Sequence, residues 1–138
     1  MTLETLHRLL TPAGSDALAA AADLRPTDVS YPAAFDRLRK RYPADLARAS
    51  LDQTLLRAKA AAKFADAGRM LFTRDAFEMA SGDATAAHRA KRFAGYNRVA
   101  DLCCGLGADT LALAAAGRDV VAIDRDAVMV AQIGRAHV

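Results

Sequence analysis

The chain has 138 residues and a formal net charge of +3, which is the length of one ordinary domain. Its first ten residues include the acid Glu4 and no sustained apolar core, and no later apolar run reaches membrane length. A secretory signal and a membrane partner are therefore set aside, and a cytoplasmic protein is expected. The only cysteines, Cys103 and Cys104, are adjacent, and a vicinal disulfide is strained, so reduced thiols are expected and no metal site.

Residues 2–95 read as helical throughout, broken by short punctuation. The run Thr11-Pro12-Ala13-Gly14-Ser15 stops a first helix at Leu10, and Ser15 or Asp16 can cap a second through Ala22. Arg25-Pro26-Thr27-Asp28 makes a turn, and Pro32 suits the first position of a helix running to Arg41. After Pro43 the chain restarts. Ser50-Leu51-Asp52-Gln53 has capping-box spacing, with Leu51, Leu55, Ala58 and Ala62 on one face of a helix to Lys63. Lys59 and Lys63 fall on a different, solvated face.

Residues 66–70 read as a single turn, Thr73 caps a short helix ending near Gly82, and Asp83 caps the next. In that helix Ala86, Ala90 and Phe93 share one side, which puts His88, Lys91 and Arg92 on the other, and Gly95 supplies the stop. From Arg98 the pattern changes to a strand over 99–103, a helix over 108–116 ended by Gly117, a strand over 119–123, and a helix starting near Asp126.

Charge is uneven along this order. Residues 37–98 carry a net +8 between mildly acidic flanks, a block that suits a polyanionic partner or a solvated basic face.

The densest chemistry lies in Asp101-Leu102-Cys103-Cys104-Gly105-Leu106-Gly107-Ala108-Asp109-Thr110, followed by Ala122-Ile123-Asp124. A parallel strand-helix-strand unit crosses over right-handedly, so the carboxyl ends of both strands open on one crevice beside the helix N-terminus. Gly105 and Gly107 let the backbone take positive φ and let a ligand lie against it. Asp124, at the tip of the second strand, is placed to accept ribose hydroxyls. A nicotinamide fingerprint wants a small third residue where Thr110 stands, and Asp101 would repel a diphosphate. The same carboxylate welcomes the ammonium of a methionyl tail, so S-adenosylmethionine fits better.

Asp101 to Gly107 together with Ala122-Ile123-Asp124-Arg125-Asp126 resembles motifs I and II of class I S-adenosylmethionine-dependent methyltransferases. The wording of Cys104 to Thr110 is similar to the trimethylguanosine synthase branch and to bacterial methyltransferases with a THUMP-like domain. Phe72 to Ala80, then Ala87-His88-Arg89, resembles the stretch that precedes motif I there. The resemblance covers about residues 55–132. It implies Asp101 near the methionyl group, Gly105 and Gly107 under the cofactor, and Asp124 on the ribose. The cofactor set is Asp101, Cys103, Gly105, Gly107, Asp109, Thr110 and Asp124. Arg74, His88, Lys91 and Arg92 are the RNA-contact candidates. Cys103 stands where many of these enzymes have glycine.

The expected fold class is α/β: a helical, basic module over 1–95, then the first strand-helix-strand unit of a Rossmann-like cofactor domain over 96–132. The adenine contacts and catalytic motif of the resembled families lie after later strands, so the catalytic residues are expected beyond the chain and the chain alone is expected to be inactive. The final residues, Ile133-Gly134-Arg135-Ala136-His137-Val138, back-translate to the start of an adapter used in short-read sequencing, which gives the expectation of a truncated gene with a non-biological tail over 133–138. The expected function is methyl transfer from S-adenosylmethionine to an RNA base. The alternatives are a noncatalytic helical module that binds nucleic acid or protein, and a nicotinamide-dependent oxidoreductase.

Overall fold

A computed structural model describes residues 1–133. The chain is mixed α/β and mostly helical, with one two-stranded parallel sheet among the described residues. It divides into two compact units, Met1–Lys59 and the remainder from Ala60. The helical segment 60–95, which the change of pattern near residue 96 assigns to the N-terminal module, thus groups with the strands.

The first unit is built from α1 (Leu3–Leu9), α2 (Pro12–Asp23), α3 (Tyr31–Leu38) and α4 (Ala44–Ala60, whose last residue crosses the division). Ala21, Ala34, Leu38, Ala47 and Leu51 form a core in which alanines dominate the helix contacts. The cap of α2 is Thr11, whose hydroxyl accepts from the Gly14 N–H at 3.1 Å, and not Ser15 or Asp16. Pro12 is pre-set for the first helical turn, which pulls the start forward. Gly14 is consequently inside the helix, where a Cβ would meet the carbonyl oxygens of Arg8 and Leu9 at 2.1 and 2.5 Å. It lets α2 begin against the end of α1.

Helix α3 ends at Leu38, short of the expected Arg41, and α4 begins six residues before the capping-box sequence. Ser50 lies in the interior of α4 and is fully buried, so it caps nothing. Spacing alone suits a capping box at any serine, but the N–H groups there already bond within the helix. Leu51 is buried as expected, whereas Ala58 and Ala62 are exposed.

In the second unit a turn over Ala67–Arg69 precedes α5 (Arg74–Met79), which Thr73 caps through the Ala76 N–H at 3.3 Å, as the sequence predicts. Lys63 is not on a solvated face. Its ammonium donates to the carbonyls of Phe77 at 3.1 Å and Ala80 at 3.4 Å, satisfying groups at the end of α5, and lies 4.7 Å from the Phe77 ring. Phe72 packs between Phe64 and Phe77, with ring centroids 5.9 Å away in both pairs.

Helix α6 (Asp83–Ala90) is preceded by Gly82 at the cap position. Asp83, expected as the cap, turns its carboxylate to the Ala65 N–H at 2.7 Å while its own N–H donates to the Lys63 carbonyl. A tight 3₁₀ turn over Lys91–Phe93 extends α6. The register of a 3₁₀ turn differs from that of an α-helix, and Phe93 leaves the buried side held by Ala86 and Ala90.

Strands β1 (Arg98–Leu102) and β2 (Asp119–Ile123) pair in parallel, Arg98 opposite Asp119 and Leu102 opposite Ile123. They are joined by α7 (Ala108–Ala115), and α8 (Ala127–Ile133) follows β2. Gly117, at φ +80°, ends α7 where the sequence places its stop. Val99 and Val120 pack with Ala90, Ala112 and Leu113, which puts α6 and α7 on one face of the sheet. The alternate residues Ala100, Leu102, Val121 and Ile123 are exposed on the other. Of the tail read as non-biological, Ile133 closes α8 and residues 134–138 lie outside the described ones.

Candidate functional site

The turn after β1 carries the strongest local signature. Cys103, Gly105 and Gly107 all take positive φ, +59°, +52° and +85°. The chain therefore reverses within five residues and enters α7 directly from Gly107, which occupies the helix cap position without offering a side chain. Cys103 holds a backbone conformation that suits glycine, at a cost of about 1–2 kcal/mol.

The two turn glycines differ. A Cβ on Gly107 would fall 2.5 Å from Ile133 Cγ1, so this position is closed by packing of α8. A Cβ on Gly105 would meet nothing nearer than the Cys103 carbonyl at 4.0 Å, leaving space for another molecule.

Asp124 ties the turn to the end of β2. Its Oδ2 accepts from the Gly105 N–H and its Oδ1 from the Asp126 N–H, both at 2.9 Å. These bonds, Asp126 first and Gly105 next, hold its carboxyl below the usual value of 3.8, so it is ionised at neutral pH. Each oxygen keeps further acceptor capacity. Asp101, half-buried near the end of β1, accepts a hydrogen bond from the hydroxyl of Thr110, which is buried on α7.

Asp109 is drawn elsewhere. Its Oδ2 pairs with Arg89 at 3.0 Å, and Arg89 also donates to the Ser81 hydroxyl. This bond joins α6 to α7 and had no signal in the local sequence, because the partners are twenty residues apart. Of the seven cofactor candidates, Asp101, Gly105 and Asp124 present groups at the strand ends. Thr110 supports Asp101 from α7, whereas Asp109 is engaged with Arg89.

Cys104 is buried and its N–H donates to the Ile123 carbonyl. Burial, then the charges of Asp101 and Asp124, push its thiol up to about 11. A thiol so raised stays protonated near neutrality and is a poor nucleophile. Cys103 is exposed.

The RNA-contact candidates do not converge as a set. Arg74, His88, Lys91 and Arg92 are all exposed, but Arg92 alone among them lines a depression of about 540 Å³ on the second unit. The other cations there are Arg89 and Arg98, which the sequence pattern did not single out for RNA contact, so they are additions, as are the rings of Phe93 and Tyr96. The interleaving of Arg92, Phe93, Tyr96 and Arg98 was the available signal. The +8 block itself is divided at 59/60 between the two units. Some of its members are engaged internally: Lys63 at α5, Arg89 with Asp109, and Arg98 with Asp119 at 3.2 Å.

No helix among the described residues is long and apolar enough to cross a membrane. Residues 2–60 are similar to a family described as a domain of unknown function, DUF8688, a match that coincides with the first unit and stops short of the glycine turn. Neither a curated protein nor a solved structure matches the chain.

Proposed function

We propose that the second unit carries the methionyl and ribose end of an S-adenosylmethionine site in a Rossmann-like sheet, and that the protein transfers a methyl group from this cofactor to an RNA base. The observation that carries the reading is the Asp124 carboxylate held by the Gly105 N–H, with Asp101 at the neighbouring strand end. These residues fit the group. Gly105 leaves open space beside the backbone, the ionised Asp124 retains lone pairs for two vicinal hydroxyls, and Asp101 offers a negative charge to an ammonium. A diphosphate would meet both carboxylates, which counts against a nicotinamide dinucleotide.

When bound, the cofactor supplies an electrophilic methyl group on its sulfonium. The chain's own contribution is orientation: Thr110 fixes one oxygen of Asp101, and Gly105 and Asp126 fix both oxygens of Asp124. Such groups act by holding reactants in line. RNA as the acceptor is supported by the positive charge of residues 37–98 and by the family resemblance.

Titrating the ¹⁵N-labelled chain with millimolar S-adenosylmethionine tests this reading by NMR. Shifts should concentrate at the amides of Gly105, Gly107 and Asp126 and vanish in Asp124→Ala. No shift, or an equal response to NADH, overturns it.

A further inference from the structure

The depression beside β1 has a composition that the cofactor reading does not use. Arg89, Arg92 and Arg98 line it with the rings of Phe93 and Tyr96, over Val99 and Ala100. No carboxylate belongs to its lining. Arg89 and Arg98 are each engaged by one aspartate at the margin, Asp109 and Asp119. Arg92 makes no ion pair among the described residues, and exposed Lys91 stands next to it in the chain.

The rings are the second observation. Tyr96 is 61% exposed and Phe93 38%, and they lie with centroids 6.3 Å apart, tilted by 56°. Leaving two adjacent rings in water forgoes a burial that the neighbouring Ala90 and Val99 core could have supplied. The Tyr96 backbone is meanwhile held in place, since its carbonyl accepts from Arg118 at 2.9 Å and its N–H donates to the Phe93 carbonyl at 3.0 Å. An exposed aromatic pair on an anchored backbone, beside a guanidinium without an ion pair among the described residues, offers π-faces and a cation together.

We propose that this depression binds single-stranded RNA, with a base stacked on the more exposed ring, Tyr96, beside Phe93, and the adjoining phosphate held by Arg92. The proposal deepens the RNA part of the functional reading and rests on it. Stacking needs an unpaired base, and every base has a π-face, so recognition here is selective for single strands and tolerant of sequence. An acidic peptide would satisfy the guanidiniums but would leave the rings unmatched. Because Arg98, Val99 and Ala100 of β1 line the depression and Asp101 follows Ala100, the two sites are neighbours along one strand. The depression accordingly grips nucleotides flanking the one presented at the turn.

Fluorescence anisotropy of the 138-residue chain with a labelled 12-nucleotide single-stranded RNA tests the proposal, with the matching duplex and polyglutamate as comparison ligands. Single-stranded RNA should bind best, and its affinity should fall with salt. Tyr96→Ala should weaken binding at least about tenfold while Tyr96→Phe retains it. Arg92→Ala should reduce the salt slope by about one contact. Circular dichroism of each variant separates loss of contact from loss of fold. Equal binding of duplex, stronger binding of polyglutamate, or a folded Tyr96→Ala variant with unchanged affinity overturns it. Tyr96→Ala, which touches none of the strand-end acids, should keep the parent's amide shifts with S-adenosylmethionine, so failure of the RNA site and failure of the cofactor site read out separately.

Discussion

The Gly105 N–H donates to Asp124 Oδ2 across the ends of two parallel strands, with 2.9 Å between the atoms. The carboxylate thus does two things at once: it anchors a turn of three left-handed residues to β2, and it presents negative charge beside the one turn glycine with free space.

Asp124→Asn should therefore lower stability and loosen the cofactor together. An amide can accept one of the two backbone N–H bonds, but its NH₂ would face the other donor. Because the folded carboxyl titrates below its ordinary value of 3.8, its contribution is fully present above that value and lost as pH falls through the folded one. Urea midpoints measured from pH 7 to pH 2 should fall in acid for the parent chain and fall less for Asp124→Asn. Cofactor affinity should drop at least about tenfold. A variant with the parent's acid profile would remove Asp124 from this role.

Cys103→Gly should be neutral or stabilising by up to about 1.5 kcal/mol. It relieves about 1–2 kcal/mol of left-handed backbone strain and adds back roughly 0.5–1 kcal/mol of chain entropy. Cys103→Val, with its branched Cβ, should be less stable than the parent. Thermal unfolding that ranks valine at or above glycine would contradict the positive φ.

The two thiols should differ sharply toward iodoacetamide. In Cys104→Ser the exposed Cys103 should label readily at pH 8. In Cys103→Ser, labelling of Cys104 should stay slow and rise only toward pH 11, following its raised pKa. Mass spectrometry across this pH range measures both rates, and rapid labelling of Cys104 at pH 8 would refute its buried, protonated state.

Ser50→Ala discriminates two placements of the same residue. As a helix cap, its loss would cost about 1 kcal/mol. As a fully buried hydroxyl in the interior of α4 whose Oγ has no hydrogen-bond partner among the described residues, Ser50 should be replaceable with stability unchanged or raised by up to about 1 kcal/mol. Chemical denaturation decides the sign.

The strand-helix-strand segment was legible in the sequence because its signals are local. Val99 and Val120 mark strands, Gly105 and Gly107 mark a turn, and Gly117 ends a helix, each through the φ its own residue permits. The cap at Thr73 was legible for the same reason, since donor and acceptor lie three residues apart. Other features depended on which distant backbone comes near. Ser50 satisfies capping-box spacing yet is buried in mid-helix, Lys63 turns from solvent to the carbonyls of Phe77 and Ala80, and Asp109 meets Arg89. Residue chemistry read along the chain was thus enough for the two strands, the glycine turn and the acids at the strand ends. It could not show that Gly107 is closed by Ile133 while Gly105 stays open, or that Phe93 and Tyr96 stand exposed beside Arg92. Those outcomes came from the folded packing, because burial and charge pairing belong to neighbours in space and not to neighbours in the chain.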